Sequence, residues 1–169
     1  MPRVSVIIPT HNRASMVGDA IQSVLDQSYP DWELIVVDDG STDYTQYIVG
    51  RFADSRIRYI YQPHRGLPAA RNAGIRAAKS QYMAFLDSDD LFAPGKLACQ
   101  VHALETNPNF ALVAGGYVEI DAQLQVLREA RPWQSCPTLN LVDWLRACPF
   151  VVHAVLVRRE WLERAGLFD

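Results

Sequence analysis

Glu33-Leu-Ile-Val-Val37 runs directly into Asp38-Asp-Gly-Ser-Thr42. An apolar run without polar alternation belongs to a strand covered on both faces, as parallel sheets provide. The acidic, glycine-containing stretch behind it reads as the loop in which that strand ends. The same pairing recurs along the chain. Apolar runs at residues 4–8, 33–37, 57–61 and 82–86 alternate with helical patterns at 14–27, 42–52, 67–79 and 94–104. Strands alternating with helices of ten or more residues predict βαβ units and an α/β fold with a mostly parallel, Rossmann-like sheet flanked by helices. Ser41 or Thr42 is placed to cap the second helix, Pro68 falls in the first turn of the third, and Pro94 falls early in the fourth. After residue 109 the pattern becomes strand with antiparallel character at 110–114, 117–120 and 124–127. Helix, strand and helix follow at 139–147, 151–157 and 159–165.

Composition sets the outer bounds. The 169 residues are 49% hydrophobic and 21% charged, which fits one soluble globular domain. A net charge of −3, with no block of Lys or Arg, gives no reason to expect a nucleic-acid partner. Cys99, Cys136 and Cys148 are odd in number and widely spaced, so neither a disulfide framework nor a zinc cluster is indicated, and a reducing compartment fits. No apolar run reaches the roughly 18 residues of a spanning helix, and the N-terminus breaks at Pro9 too early for a signal peptide. The expected location is cytoplasmic, with peripheral association at the inner face of a membrane left open.

In an open α/β sheet, ligands bind at the carboxyl ends of the strands. Four polar loops meet there: 9–13, 38–42, 62–66 and 87–90. Asp87, Asp89 and Asp90 fall within four residues at the end of an apolar strand, where repulsion and desolvation call for a compensating cation. In extended chain, Asp87 and Asp89 face the same side, and two carboxylates leave Mg²⁺ or Mn²⁺ open positions for phosphate oxygens. The plainer alternative is a solvated turn with Asp90 capping the next helix. An EF-hand is excluded, because Phe92 stands where the loop needs glycine and Ala98 where it needs a bidentate acid.

Asp38 and Asp39 can accept hydrogen bonds from a ligand N–H or ribose hydroxyl beside Gly40, although a single Asp in such a turn is more often structural. Their pairing also raises a phospho-accepting receiver domain, which lacks a placeable lysine here. Arg71, near the start of the third helix, suits a diphosphate; on an isolated amphipathic helix it would instead be a surface arginine. GxGxxG, GxxxxGK[ST] and GxSxG are absent, which removes the main support for a dehydrogenase, a P-loop NTPase and an α/β hydrolase. His11 and His153 are the two histidines of interest, although a lone histidine is more often structural.

Taken in order, Val4-Ser-Val-Ile-Ile-Pro-Thr-His-Asn-Arg13, Val36-Val-Asp-Asp-Gly-Ser-Thr-Asp43, Gly66-Leu-Pro-Ala-Ala-Arg-Asn-Ala-Gly74 and Phe85-Leu-Asp-Ser-Asp-Asp90 closely resemble the family 2 glycosyltransferases of GT-A fold. The stretch 155–169 resembles a later segment of that family, so the likeness covers nearly the whole chain. It implies an inverting, metal-assisted transferase of polysaccharide or glycoconjugate biosynthesis. That enzyme would move a sugar from a nucleotide-diphosphate sugar, with a UDP-sugar favoured, to an unidentified acceptor hydroxyl. By the same resemblance Pro9, Thr10, His11, Asn12 and Arg13 hold the nucleotide together with Asp38, Asp39 and Ser88. Asp39 accepts from the base, Arg71 lies near the diphosphate, and Asp87 with Asp89 forms a D-x-D site for Mn²⁺ or Mg²⁺.

Two departures accompany the resemblance. His11 stands where members often carry tyrosine for stacking on the base. The family's general base follows the Gly166-Leu-Phe-Asp169 element, so it is expected beyond Asp169. Residues 1–169 are therefore read as a single donor-binding domain truncated at its acceptor-binding end. A non-catalytic nucleotide-sugar-binding module is the alternative. A sugar nucleotidyltransferase is weaker, because residues 9–13 lack the glycine its loop needs.

Overall fold

The computed structural model describes residues 1–135 and 150–169. The central strands are β1 (Val4–Thr10) and β2 (Trp32–Asp39), buried at every position as their unbroken apolar runs require. They pair in parallel with each other. β3 (Ile57–Gln62) lies parallel outside β2, and β4 (Tyr82–Phe85) lies parallel on the other side of β1. The sheet is completed by β5 (Leu112–Ala114) and β8 (Val155–Arg158), giving the order β3-β2-β1-β4-β8-β5. β8 runs antiparallel to both its neighbours. A separate antiparallel hairpin pairs β6 (Tyr117–Ile120) with β7 (Val126–Ala130). The α/β sheet and the antiparallel strand after residue 109 agree with the sequence reading.

Alternation along β1 builds two cores. Val4, Val6 and Ile8 meet helices α1 (Val17–Leu25) and α4 (Lys96–Thr106) through Ile21, Val24, Leu97 and Leu104. Ile7 faces the other way, toward α3 (Leu67–Ala77), where Ala70 and Ile75 are buried. Here a glycine is obligatory. A Cβ on Gly74 would lie 2.4 Å from Ile7 Cγ2, so only glycine lets α3 settle this close to the sheet. At the outer end Arg158, 8% exposed, donates to Leu104 O at 2.6 Å and Phe110 O at 2.8 Å. It thus satisfies a carbonyl in the last turn of α4 with a cation, the charge that end favours.

Several boundaries differ from the pattern reading. α1 begins at Val17 rather than at residue 14, and α2 covers only Thr45–Val49. The reason is a set of loop-to-loop hydrogen bonds. Ser41 and Thr42 bond to Asn12, Thr45 Oγ1 accepts from Arg13 N, and Asp43 Oδ2 accepts from Ala14 N, so neither Ser41 nor Thr42 caps a helix. Pro68 stands in the first turn of α3 as expected, whereas Pro94 precedes α4, whose N-cap is Gly95 at φ +76°. The expected strand at 151–157 begins as a 3₁₀ turn, Val152–Ala154, before β8. A short helix α5 (Pro132–Ser135) follows β7, and α6 (Arg159–Ala165) follows β8. The expected helix at 139–147, with Trp144, Cys136 and Cys148, lies outside the described residues. Cys99 is free and exposed. No helix among the described residues is long and apolar enough to cross a membrane.

Candidate functional site at the carboxyl edge of the sheet

The carboxyl ends of β1, β2 and β4 surround a cavity of about 440 Å³, lined by Pro9, Thr10, His11, Arg13 and Asp39, by His64, Leu67 and Ala70, and by Asp87, Ser88 and Asp89. Seven of the ten residues singled out as nucleotide-sugar-binding line it. Asn12, Asp38 and Arg71 stand behind it.

Asn12 adopts φ +53°, and its side chain binds the β2–α2 loop: Oδ1 accepts from Thr42 N at 2.8 Å. Asp38 is 1% exposed, and its two oxygens accept from Ser41 N at 2.7 Å and from the Tyr59 hydroxyl at 2.6 Å. Burial and then that bond to Asp38 push the Tyr59 hydroxyl pKa well above its ordinary value. Both residues therefore shape the cavity floor from behind.

Asp39 is the hub of the β2 side of the cavity. Its carboxylate accepts from Gln62 Nε2 at 2.6 Å, Arg65 N at 2.9 Å and Gly66 N at 2.8 Å, and lies 2.9 Å from His64 Nδ1. Burial alone would raise its pKa, but these donors and the nearby His64 hold it below the ordinary carboxylate value. The Asp39 carbonyl receives His11 Nδ1 at 2.8 Å, while His11 Nε2 lies 3.2 Å from the Asn12 amide nitrogen. A carbonyl only accepts, so His11 carries its proton on Nδ1 and accepts at Nε2. The His11 and His64 rings stack with centroids 4.3 Å apart, and a Cβ on Gly40 (φ +78°) would lie 2.7 Å from His64 N. Gly40 is what lets the two loops close on each other.

On the β4 side each of the three clustered carboxylates faces its own basic group. Asp87 Oδ1 accepts from Arg71 Nη2 at 2.7 Å, Asp89 Oδ2 lies 3.7 Å from Arg13 Nε, and Asp90 Oδ2 lies 2.9 Å from His153 Nδ1. The chain thus supplies much of the compensation that the sequence left open. It is incomplete, because three buried polar atoms in this region have no hydrogen-bond partner: Thr10 Oγ1, Arg71 Nε and His153 Nδ1. For His153 the approach to Asp90 is close but not aligned as a hydrogen bond.

Asp87, Asp90 and His153 each offer a ligand atom, and the three atoms lie within 4.8 Å of one another. Two carboxylate oxygens and one imidazole nitrogen fit a divalent ion such as Mn²⁺, with His153 Nδ1 free of a competing hydrogen bond. Asp89, the other half of the D-x-D reading, lines the cavity beside Asp87 with its carboxylate toward Arg13.

Sequence reasoning missed three features here. His64 was passed over because nothing in its local pattern marks it as a partner of Asp39. Lys96 was read only as part of a helix. Phe168 packs edge-on to Phe85 at 5.2 Å and lies 5.4 Å from the Arg71 guanidinium, while its backbone forms two hydrogen bonds with Asn72.

A sheet of this order, with acidic and basic loops gathered at one edge and an antiparallel hairpin beyond it, is that of a nucleotide-sugar-type α/β domain, the GT-A fold. The sequence model of Glycosyl transferase family 2 matches residues 5–166, and the chain belongs to that family. It is 34% identical over 160 residues to the UDP-Glc:alpha-D-GlcNAc-diphosphoundecaprenol beta-1,3-glucosyltransferase WfaP of Escherichia coli, covering 94% of this chain and 62% of that protein. An uncharacterized glycosyltransferase of Rickettsia felis is 43% identical over 120 residues, 70% of this chain and 20% of its own length.

Among solved structures, the mannosyltransferase PcManGT from Pyrobaculum calidifontis, in complex with GDP-Man and Mn²⁺, superposes with a TM-score of 0.76 at 28% identity. The match covers 99% of this chain and 48% of that one. S. aureus TarS 1–349 shares the fold with a TM-score of 0.77 at 21% identity, over 98% of this chain and 48% of TarS. The chain spans from 20% to 62% of the length of the two curated relatives named.

Proposed function

We propose that this chain is the donor-binding part of an inverting glycosyltransferase that takes a sugar from a nucleotide-diphosphate sugar, with a UDP-sugar favoured, and passes it to an acceptor hydroxyl. The observation that carries the reading is a cavity lined by acidic and basic loop residues at the edge where this fold binds ligands, with unpartnered Thr10 Oγ1 in its wall, Arg71 Nε behind it and His153 Nδ1 in the adjoining cavity. WfaP supports the UDP preference, since its name gives UDP-Glc as donor; PcManGT, solved with GDP-Man, is the reason to test guanine as well.

In this reading the base lies against His11, and its imide N–H competes for Asp39 with His64, whose side chain is 62% exposed and free to swing away. Thr10 Oγ1 donates to the diphosphate, and Arg71, paired with Asp87 behind the cavity wall, adds positive charge on that side. Asp87, Asp90 and His153, with Asp89 adjoining, would hold a metal, and Mn²⁺ or Mg²⁺ there would supply positive charge to the departing diphosphate. The acceptor oxygen bonds to the anomeric carbon as the bond to the diphosphate oxygen breaks. Its proton passes to a general base, and the single displacement inverts the anomeric centre. The acceptor is a hydroxyl compound of unidentified structure, reached from the cytoplasmic side, with the full-length protein at the membrane surface.

The test is a thermal-shift titration with UDP, GDP and dTDP, each with and without Mn²⁺, alongside Asp89→Ala. Ligand at about 100 times its dissociation constant adds roughly 2.7 kcal/mol, and each kcal/mol moves the midpoint by about 2 to 4 °C at this size. The expected result is a metal-dependent shift with UDP that Asp89→Ala weakens, because Asp89 adjoins the ligand atoms offered by Asp87, Asp90 and His153. A folded chain that shifts with no nucleotide contradicts the reading. A shift that never leads to UDP release from UDP-glucose favours the binding-module alternative.

A further inference from the structure

A second cavity, of about 940 Å³, adjoins the first at Asp89, which lines both. Its walls are the start of α4, the Gly115-Gly116 break and the β6–β7 hairpin. The volume is that of a small-molecule site, and apolar side chains such as Phe92, Val118 and Trp133 dominate its surface.

Its charged lining is lopsided. Three of its four acids have an arginine of their own: Asp89 faces Arg13 at 3.7 Å, Glu119 is paired with Arg128, and Glu129 is paired with Arg131 at 2.8 Å, while Asp90 lies beside His153 in the candidate metal cluster. Among the described residues Lys96 has no counter-charge. Its polar contact there is the neutral amide oxygen of Gln100, and its ammonium lies 4.5 Å from the centroid of the Phe92 ring. Gln100 is itself fixed, because its Nε2 donates to Ala154 O at 2.8 Å. The ammonium is therefore held in one place, desolvated, at a cavity wall. Burial depresses its pKa to about 7. A lysine held there without a counter-charge gives up its proton readily, and an arriving anion restores the charged form.

We propose that Lys96 recognises an anionic group, phosphate or carboxylate, carried by the acceptor in this second cavity. The proposal rests on the reading of the chain as a donor-binding glycosyltransferase domain, which makes the neighbouring cavity the acceptor's. Aromatic and aliphatic walls beside one fixed cation suit an amphiphilic acceptor whose charged group lies close to the sugar that receives the transfer. Phe92 and Gln100 position the ammonium, and neither can replace its charge.

The test uses three probes with the same octyl tail, titrated calorimetrically against the chain with and without UDP and Mn²⁺: N-acetylglucosamine linked through an octyl diphosphate, octyl glucuronide, and neutral octyl N-acetylglucosaminide. Wild type binds at least one anionic probe roughly tenfold more tightly than the neutral one, the discrimination typical of a charge-assisted hydrogen bond. Lys96→Met keeps the alkyl stem against Phe92 and brings the probes to within about twofold of one another, whereas Lys96→Arg retains the preference. Which anionic probe wins tells phosphate from carboxylate. Equal affinities in wild type, a preference that survives Lys96→Met, or no binding of any probe overturns the proposal. Failure of UDP to bind, in the same experiment, counts against the donor reading instead, because the probes are also judged on the nucleotide-free chain.

Discussion

The two edges of the sheet solve the same problem in opposite ways. At the amino edge one buried carboxylate, Glu33, is fully supplied: Ser5 Oγ donates at 2.6 Å, Lys79 N at 2.9 Å and Arg58 Nη1 at 3.2 Å. At the carboxyl edge the carboxylates also have partners, but Thr10 Oγ1, Arg71 Nε and His153 Nδ1 are left without hydrogen-bond partners. The fourth such atom, Trp32 Nε1, is at the amino edge, beneath an Arg56 guanidinium stacked 3.7 Å from its ring. Saturated polar groups stabilise a fold, whereas unsatisfied ones lower its stability and become assets once a ligand supplies the missing partner. The amino edge is built for stability and the carboxyl edge for binding.

The largest expected effect lies at the saturated edge. Glu33→Ala strips three donors of their acceptor and costs about 1–3 kcal/mol of stability at neutral pH, with no change in nucleotide binding; chemical denaturation measures the first and calorimetry the second. The cost depends on pH in a definite direction. Burial would raise the Glu33 pKa, but its bonds to Ser5, Lys79 N and Arg58 outweigh that and hold it below the ordinary value. As pH falls the unfolded chain takes up the proton first, so wild type loses this contribution as pH drops through the folded pKa. The gap between wild type and Glu33→Ala therefore narrows in acid. A gap that widens would contradict the assignment of the two edges.

A smaller effect, in the opposite sense, belongs to the binding edge. Thr10→Val replaces a buried hydroxyl that bonds to nothing with a methyl of similar volume. Stability stays within about 1 kcal/mol of wild type or rises, while UDP affinity falls. Loss of stability without loss of affinity would mean that Thr10 belongs to the packing and not to the site.

Much of this contrast was legible in the sequence, because strands buried on both faces leave unbroken apolar runs and the loops behind them carry visible acids. Four strand ends and the loop cluster followed from that pattern alone. Which carboxylate faces what did not. Asp38 and Asp39 are neighbours in sequence, yet successive side chains on a strand point opposite ways. Asp38 turns inward to Tyr59, and Asp39 reaches the cavity. The match of Asp87 with Arg71 spans 16 residues, and that of Asp90 with His153 depends on β8 returning antiparallel beside β4. The late start of α2 had a local cause, the hydrogen bonds of Ser41 and Thr42 to Asn12, but its partner is about 30 residues away, beyond the reach of any capping rule. Lys96 stayed hidden for the same reason: only the folded chain shows that its neighbours leave it without a counter-charge.

Hydrogen exchange read by mass spectrometry, with and without UDP and Mn²⁺, tests the central contrast most directly. Binding at the carboxyl edge predicts added protection in the loops at 9–13, 38–42, 62–66 and 87–90, with exchange around Glu33 and Lys79 unchanged. Protection at the amino edge, or none at any loop under conditions where the chain is folded, would contradict the account.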